Sequence, residues 1–561
     1  MFNFHSANTT EQSLNYLRDF PFFDISNNII SIQSYNPLYS VLFDVNKENV
    51  SKICLNQKYN IYNEFHIQDN LGNIINANIF VKHSPLLDPI HYLIGKYQKQ
   101  SEQIDRLPQL ENVNDCHPKV NHYNNASYID NFFNYLSSQL LHKHGIIHGI
   151  DYYGSHLAIQ KQFRFNVFDD MDYLEESEYF LKTNNVKYSI ENVNTPLYLQ
   201  NKNTKSKRPI VHIEDDIKLD DIIEYDDIEE ENECAIENGQ RDSSSEIVFN
   251  MESEEMSDSD DSNISNSSDE EDNTLHGDED DDDDDDDDED QDEDEDEDED
   301  DESDDSNENE ELFAYLYNFP VQMIALEKCD GTFDSLLEDE KLSEKEIIAA
   351  LMQVIMTLIV YQKGFSFTHN DLHTNNILYV TTSQKHISYL LKGKHYKVPT
   401  YGKIYKIIDF GRSIYRYQDK TFCSDSFAPG GDANGQYNCE PYFNQNKKRL
   451  EPNFSFDLCR LACSLYDFVF EEELFIKESD MNEVQKLISK WCTDDYGKNI
   501  LYKRNGDERY PQFKLYKMIA RTVHSQVPEE QLSLQVFSHF ISKHKNPAKC
   551  INIDNLPIYW E

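Results

Sequence analysis

Apolar positions recur at helical spacing in three stretches of the chain. Asn124–Gly145 and Leu342–Gly364 have the spacing of long helices, and each ends at a glycine that predicts a helix stop. In the second stretch, Ser343 and Glu346 have the spacing of a capping box, and its middle is apolar on nearly every face. A third buried helix is predicted over Ser455–Phe470, with its first serine as the cap. These three helices are the expected core elements.

Shorter stretches rich in β-branched and aromatic residues predict strands. Four of them are Tyr39–Val45, Lys58–Asn70, Asn76–Ser84 and Leu312–Cys329, the last as two short strands. Turn residues at 69–73 separate the second and third of these stretches and predict that the two form a hairpin. Further strands are predicted at 376–380 and 403–409, joined by a polar connector, while residues 1–35 have a mixed, partly helical pattern and the chain after 470 is mostly helical.

Charge separates one segment from the rest. The net charge is −56, and residues 214–311 hold 54 acidic and two basic residues, a net of −52, which leaves −4 elsewhere. Residues 201–311 cannot bury enough apolar surface to offset ordering entropy, so they are predicted to be disordered. The acidity argues against nucleic-acid binding by this segment. It could recruit basic proteins, or act only as a solubilising insert.

Serines followed by acids, as in Met256–Asp261, match the preference of acid-directed kinases, although any serine in such a run has acids nearby. The ten cysteines contain no Cys-x-x-Cys pair, which predicts reduced thiols in an intracellular compartment rather than a zinc site or a disulfide framework. The N-terminus lacks a signal-peptide pattern, and no run of about 18 apolar residues predicts a membrane span.

A polar loop between apolar segments carries the candidate chemistry. Asp371 and Asn376 lie five residues apart in "FTHNDLHTNNILYV", and Asp409 follows a later apolar strand. Phosphoryl transfer needs a carboxylate near the attacking hydroxyl and oxygen ligands for Mg²⁺. The helix–loop–strand–strand order brings these three residues to one cleft edge, whereas two solvated turns would be the alternative.

The same residues resemble the protein-kinase-like superfamily. His369–Asn376 resembles the catalytic loop His-Arg-Asp-Leu-x-x-x-x-Asn, and Asp409–Gly411 matches Asp-Phe-Gly. The whole pattern resembles most the divergent serine/threonine kinases of giant DNA viruses. The resemblance implies an α+β fold with a small β-rich N-lobe, a larger helical C-lobe and a long disordered acidic insertion. The implied ranges are 1–35 for an N-terminal extension, 36–200 for the first part of the N-lobe, 201–311 for the insertion, 312–330 for the end of the N-lobe and the hinge, and 331–561 for the C-lobe.

The resemblance also implies roles for individual residues. Asp371 would be the catalytic base, with His373 beside it where a typical protein kinase has lysine. Asn376 and Asp409 would hold Mg²⁺. The remaining implied residues are Lys82 for the ATP phosphates, the stretch from Glu327 to Cys329 facing adenine after the gatekeeper Leu326, and His369, Phe410, Gly411 and Asp457 as structural support. An edge-strand lysine is the alternative for Lys82, and a first-turn acid favoured by the helix dipole is the alternative for Asp457.

Several positions depart from the family pattern. Gly72 is the only glycine in the sequence between residues 36 and 82, so the glycine-rich loop that covers the phosphates is absent. Asn370 replaces the catalytic-loop arginine, which predicts no activation by loop phosphorylation. The helix expected to supply an acid to Lys82 has Asn134 near the right register, with Asp130 a turn earlier and Gln139 a turn later. No Ala-Pro-Glu follows Asp-Phe-Gly, and residues 428–443 occupy the substrate-docking segment.

These observations predict an ATP- and Mg²⁺-dependent phosphotransferase that acts on serine or threonine of a protein. Two alternatives remain open. One is a small-molecule kinase of the aminoglycoside or choline type, suggested by His373 and the unusual substrate segment. The Asp-Leu-His-x-x-Asn spelling appears in such kinases and also in haspin-like kinases. The other is a pseudokinase that binds partners without transfer. The expected partners are ATP and a protein substrate, with no nucleic acid and no membrane, in the host cytoplasm or the virion if the chain is viral.

Overall fold

The computed structural model describes residues 28–51, 53–111, 114–190, 312–470, 476–543 and 550–561. The acidic segment predicted to be disordered lies outside these residues. All of the described residues belong to one compact unit with a mixed α+β architecture and many antiparallel strands.

The elements before residue 191 are mainly strands around one long helix. In chain order they are β1 (Ile29–Gln33), α1 (Tyr39–Leu42), β2 (Tyr59–Asn63), β3 (His66–Asp69), β4 (Ile74–Asn76), β5 (Ile79–Pro85), α2 (Pro89–Leu93), α3 (Pro118–Asn121), α4 (Ala126–His144), β6 (Tyr152–Asn166), α5 (Met171–Glu175), α6 (Glu178–Thr183) and β7 (Tyr188–Ile190).

The elements after residue 311 include the longest helix. They are β8 (Phe313–Glu327), β9 (Gly331–Thr332), α7 (Phe333–Glu338), α8 (Glu344–Phe365), β10 (Ile377–Thr381), β11 (His386–Leu391), β12 (Lys394–Pro399), β13 (Lys403–Ile407), β14 (Ile414–Tyr417), β15 (Lys420–Cys423), α9 (Phe456–Val469), α10 (Glu483–Trp491), α11 (Phe513–Thr522), α12 (Pro528–Gln531), α13 (Gln535–Ser538) and β16 (Cys550–Asn552).

The main sheet is antiparallel, with strand order β1-β6-β8-β5 and with β7 also paired to β8. Strand β8 therefore joins chain segments from both sides of residues 191–311, and Ile190 is paired directly with Ala314. A second sheet, β13-β10-β9, follows the end of β8. Strands β2, β3 and β4 form a separate sheet that packs Ile67 against Ile79 and Ala325 of the main sheet. Because side chains alternate along a strand, this contact lies on the side of β5 opposite to Lys82.

Two buried helices form the centre of the core. Helix α4 starts at Asn125, whose side chain accepts the Ser127 N–H, and it ends at Gly145, whose φ of 68° is left-handed. Helix α8 begins with the predicted capping box. Ser137 of α4 and Tyr361 of α8 share a hydrogen bond of 2.6 Å between fully buried hydroxyls. The two helices thus tie the main sheet to the later elements.

Helix α8 is long and apolar enough to cross a membrane by length and composition, contrary to the prediction that the chain has no such run. Its most apolar stretch is 89% buried within the protein. This degree of burial is typical of a core helix.

The strand and helix predictions hold for most elements and fail at identifiable places. Residues 39–42 are helical because Asn36 and Pro37 start a turn there, in which the Asn36 side chain accepts the Leu38 N–H at 2.9 Å. The two short strands predicted in 312–329 are one strand, in which Asn318 has a left-handed φ of 54° and Pro320 remains in the ladder. Residues 29–33 form a strand rather than helix, and residues 1–27 lie outside the described chain.

Other corrections concern helix ends and a connector. Helix α8 continues through Gly364 and ends at Ser366, whose φ is 49°. Ser455 does not cap α9, because its hydroxyl accepts the Gln526 N–H at 3.1 Å. The polar connector contains the hairpin β11–β12, whose strands alternate buried and exposed residues. The nine cysteines within the described residues are all free thiols.

Candidate active site

Lys82 makes two ion pairs from the middle of edge strand β5. Its Nζ lies 2.8 Å from Asp130 Oδ2 on α4 and 2.8 Å from Asp409 Oδ1 after β13. Burial alone lowers the pKa of Lys82, but the two carboxylates outweigh it and the net shift is upward. Lys82 is therefore an edge-strand residue, and it is also the cation that joins β5 to α4 and to the segment after β13. Its acidic partner on the helix is Asp130.

Asp130 also holds the segment that contains Asp409. Its Oδ1 accepts the Phe410 N–H at 2.8 Å and the Asn134 side-chain amide at 2.9 Å. The Asp130 side chain is only 1% exposed, and burial raises its pKa even though Lys82 opposes that shift. Asn134, which lies nearest the expected register, supports Asp130 instead of pairing with Lys82.

Phe410 anchors its segment in an aromatic cluster. The ring is fully buried, and its centroid lies 4.7 Å from that of Phe133 on α4 and 5.7 Å from that of His369. At Gly411 an added Cβ would meet Asp409 Oδ1 at 3.5 Å, an ordinary contact, and its φ is not left-handed. Asp409 itself has a φ of 62°, a conformation that non-glycine residues rarely adopt. The contacts of its neighbours hold that strained backbone in place.

Asp457 orders the loop that contains Asp371. This fully buried carboxylate on the first turn of α9 accepts the N–H groups of His369 and Asn370, each at 2.9 Å. His369 Nε2 donates to the Ile408 carbonyl at 2.9 Å, so its Nδ1 is the acceptor for the Asp371 N–H at 3.3 Å. The loop is thus connected both to α9 and to the end of β13.

Asn370 has a structural role in place of the expected arginine. Its φ of 64° is left-handed, a region in which asparagine is enriched. The buried side chain donates to the Arg412 carbonyl at 3.0 Å and accepts the Tyr437 hydroxyl at 2.8 Å. A neutral amide fixed in this way offers no cation to a phosphorylated loop.

Asp371 is surrounded by cations and a phenol that the sequence did not reveal. Tyr516 on α11 donates its hydroxyl to Asp371 Oδ1 at 2.8 Å, and Arg412 Nη1 lies 3.6 Å from Oδ2. Arg460 on α9 donates its Nε to the Tyr516 hydroxyl at 2.9 Å. Burial raises the pKa of Asp371, but Arg412, Arg460, His373 and Tyr516 together lower it to about 2. Asp371 is therefore an ionised carboxylate at neutral pH.

Asn376 and His373 complete the loop. Asn376 Nδ2 donates to the Asp371 carbonyl at 2.9 Å, so its amide oxygen is the atom that it can offer to a cation. Burial lowers the pKa of His373 to about 4, which makes its ring neutral at neutral pH. His373 therefore does not supply the positive charge of the lysine that it replaces.

The donor set fits a small hard cation. Asn376 offers an amide oxygen, and the Asp409 side chain is 48% exposed, with its pKa lowered chiefly by Lys82. Mg²⁺ typically takes one or two protein oxygens and completes its octahedron with phosphate and water. Across the described residues, no group of three or more His, Cys, Asp or Glu side chains is placed to hold a metal ion, so a closed transition-metal site is not formed there.

The expected adenine-facing stretch follows the end of β8. The Glu327 carboxylate forms an ion pair with the buried Lys406 of β13, and its N–H donates to the Asp151 carbonyl at 2.9 Å. Leu326 is buried and is paired with Phe80, two residues before Lys82. Burial, with Glu327 nearby, raises the pKa of the Cys329 thiol to about 12, so this thiol is unreactive at neutral pH. The Lys328 N–H is likewise used within the fold, since it donates to the Asn78 carbonyl at 3.0 Å.

The described residues thus define a mixed α+β protein in which a lysine, three aspartates and an asparagine from four separate parts of the chain lie at one site. No protein-family model matches the chain. Over 187 residues, the chain is 26% identical to a protein of Acanthamoeba polyphaga mimivirus named "Putative serine/threonine-protein kinase", a match that covers 30% of this chain and 43% of that protein.

Two further proteins are similar to the chain. One is named as a kinase, and the other has no named function. Over 88 residues, the chain is 38% identical to the serine/threonine-protein kinase haspin of Mus musculus, which covers 15% of this chain and 12% of haspin. An uncharacterized protein of Invertebrate iridescent virus 6 is 27% identical over 218 residues, 37% of this chain and 32% of that protein. The chain therefore matches less than half the length of each relative. It is a divergent relative of protein-kinase-like proteins.

Proposed function

We propose that this protein is a protein kinase that transfers the γ-phosphate of ATP to a serine or threonine hydroxyl. The observation that carries the proposal is the double ion pair of Lys82 with Asp130 and Asp409, 48 and 327 residues away along the chain. Burying a carboxylate as deeply as Asp130 is costly, and the cation that it holds is the kind of group that phosphoryl transfer needs at the ATP phosphates. We extend the proposal to a bilobal arrangement, with residues 36–200 and 312–330 in the smaller lobe and 331–561 in the larger.

In this proposal each residue has a defined task. Asp371 accepts the proton of the acceptor hydroxyl. The Asn376 side-chain amide fixes the loop by donating to the backbone carbonyl of Asp371. Lys82 binds the α- and β-phosphates, and Asp130 keeps the lysine oriented. When bound at Asn376 and Asp409, Mg²⁺ would neutralise charge on the transferred phosphoryl group. Asp457 and His369 hold the loop rigid, so little reorganisation is needed when substrate binds.

A standard transfer assay tests the proposal. Purified protein is incubated with Mg²⁺, labelled ATP, casein and a basic protein, and its melting temperature is measured with and without nucleotide. We expect label on serine or threonine and a nucleotide-dependent rise in melting temperature. Absence of both would refute the enzymatic proposal, and label on a small alcohol alone would favour a small-molecule kinase.

One contact favours a second candidate, a nucleotide-binding module without transfer. The Tyr516 hydroxyl occupies Asp371 Oδ1, and the carboxylate with a pKa of about 2 is a weak base. An acceptor hydroxyl would have to displace the Tyr516 hydroxyl or bind the other carboxylate oxygen of Asp371, Oδ2. A protein that gains thermal stability from ATP but never transfers phosphate would match this candidate.

Tyr516→Phe separates the two candidates. The substitution removes the hydroxyl from Asp371 Oδ1 and keeps the buried ring, so a kinase should gain about tenfold or more in kcat/KM, because a hydrogen bond to a charged group contributes about 1.5–3 kcal/mol. Steady-state kinetics with casein provide the measurement, and Tyr510→Phe, on the chain just before α11, is the matched control. A loss of activity in Tyr516→Phe would mean that the tyrosine positions Asp371 rather than covering it.

We also propose that the acidic segment is an insertion that the fold does not need. Its flanks meet in the sheet, since Ile190 is paired with Ala314. Deleting residues 214–305 should therefore change the melting temperature by less than about 3 °C, because no described contact is removed. Differential scanning calorimetry of both proteins checks this expectation, and loss of a cooperative transition in the deletion would contradict it.

A further inference from the structure

The Tyr516 hydroxyl lies where the acceptor hydroxyl of a phosphoryl transfer is expected. A catalytic base contacts the hydroxyl that it deprotonates at about 2.6–3.2 Å. Tyr516 on α11 donates to Asp371 Oδ1 at 2.8 Å, which is within that range. The Asp371 side chain is still 24% exposed, so the contact leaves part of the carboxylate open to solvent. The two groups therefore have the geometry of an acceptor and its base.

The ring of Tyr516 is held in a fixed position. The residue is 6% exposed, and its ring stacks on that of Phe513 with the centroids 5.5 Å apart and 22° between the planes. The centroid of the Phe456 ring, at the start of α9, lies 6.2 Å away. Packing on these two rings keeps the hydroxyl beside Asp371. An acceptor fixed next to its base has the rate advantage of an intramolecular reaction.

Two arginines lie around the same hydroxyl. Arg460 on α9 donates its Nε to Tyr516 Oη at 2.9 Å, and its Cζ lies 5.1 Å from the ring centroid. The Cζ of Arg412 lies 5.8 Å from that centroid. The Arg412 guanidinium also pairs with Asp371 and Asp432. Because guanidinium groups match the shape and charge of phosphate, they would offset the charge of a phosphate ester formed on Tyr516.

The protonation states are compatible with transfer to this hydroxyl. Burial raises the pKa of Tyr516, so its phenol is neutral at neutral pH and must lose a proton when it reacts. Asp371 is ionised and already accepts that proton in a hydrogen bond. In phosphoryl transfer, positioning and electrostatic stabilisation supply most of the catalysis, because the transition state is loose. The low basicity of Asp371 is therefore compatible with its action on an acceptor held this close.

We propose that Tyr516 is an autophosphorylation site, to which the same chain transfers the γ-phosphate of ATP. The inference rests on the proposed kinase function and extends it to a tyrosine of the protein itself. In the reaction, Tyr516 Oη forms a bond to the γ-phosphorus while the bond from that phosphorus to the β,γ-bridging oxygen breaks. The electron pair of the broken bond leaves with ADP, and the phenolic proton passes to Asp371 Oδ1. The products are phosphotyrosine and ADP.

Labelling without an added acceptor tests the inference. Purified protein is incubated with Mg²⁺ and γ-labelled ATP, and the modified residue is located by phosphoamino-acid analysis and by mass spectrometry of the peptide that contains Tyr516. We expect phosphotyrosine at this position. The labelled fraction at a given time should not depend on protein concentration, because the transfer is intramolecular. Absence of phosphate at Tyr516, or a labelled fraction that falls in proportion to dilution, would overturn the inference.

Three variants check the assignment. Tyr516→Phe keeps the buried ring and should lower the label on tyrosine to background. Tyr510→Phe, on the chain just before α11, is the matched control and should be labelled at the original rate. Asp371→Asn should label Tyr516 about 10³-fold more slowly, the usual contribution of a general base. Undiminished labelling in Asp371→Asn would mean that another enzyme in the preparation transfers the phosphate, and phosphotyrosine that persists in Tyr516→Phe would mean that a different tyrosine is modified. Either result would overturn the inference.

Parallel assays with casein separate failure of the inference from failure of the proposed function. Label on casein without label on Tyr516 would overturn the inference and leave the kinase proposal intact, and the tyrosine would then only hold or cover Asp371. Label on Tyr516 without label on casein would support the inference and limit the transfer to the protein itself. Label on neither would overturn both, and a nucleotide-dependent rise in melting temperature would then identify a nucleotide-binding module.

Discussion

Asp371→Asn is expected to lower kcat for phosphoryl transfer about 10³-fold, the usual contribution of a general base. The amide cannot take the acceptor proton, but it has the shape of the carboxylate and can still accept the Tyr516 hydroxyl. Nucleotide binding should survive, because Lys82 and Asp409 are untouched. Radiometric assays measure the first effect, and the nucleotide-dependent rise in melting temperature measures the second.

Asp419→Asn is the control for this substitution. Asp419 is exposed in the turn between β14 and β15 and has a left-handed φ of 57°, which asparagine tolerates. It should retain full activity and stability. An Asp371→Asn protein that keeps transfer within threefold of the original rate would refute the assignment of the base.

Lys82→Met is expected to lower the free energy of unfolding by about 3 kcal/mol, because it leaves the buried Asp130 carboxylate without its cation. Adding Asp130→Asn should recover most of that loss, since the amide can still accept the Phe410 N–H. Nucleotide affinity should stay low in the double variant. Urea denaturation of the four proteins of this double-mutant cycle measures the coupling.

The loss in Lys82→Met should also depend on pH. Burial raises the pKa of Asp130, and removing the lysine raises it further, so the native state holds a proton that the unfolded state has released. The variant is then least destabilised at about pH 5 and loses stability as pH rises toward 8. If the single and double variants prove equally stable at pH 8, the ion pair has no structural role.

Local patterns predicted the elements that depend on local physics. The two long helices, the turn around Gly72 and the strands beside Asn376 and Asp409 follow from periodicity and turn residues. The strand predicted to complete that hairpin, β5, pairs with β8 instead, and β4 takes its place. The failures occurred where a side chain or distant backbone decides the conformation. Two short strands were predicted in 312–329, but pairing on both sides, with Pro320 in the ladder, keeps β8 continuous.

Of the candidate site, the sequence predicted only the residues that belong to short motifs. Asp371, Asn376 and Asp409 lie in short motifs whose order predicts their proximity. Asp130 was one of three helical candidates for pairing with Lys82, and only the position of α4 against β5 selects it. Tyr516 reaches Asp371 across 145 residues, and no local signal marks such a contact. The surroundings that set the pKa of a catalytic group are tertiary, so they require a structure.

Ile190 and Ala314 are paired in the sheet although they lie 124 positions apart by numbering, so the chain between them closes a loop, whatever structure it has itself. Loop-closure entropy grows only with the logarithm of length, so this loop costs about 3 kcal/mol more to close than one of five residues. We therefore expect the fold to be insensitive to the length of that segment. The segment can lengthen, shorten or be exchanged for a folded reporter domain with adjacent ends. This site is where a sensor could be built into the chain without redesigning its core.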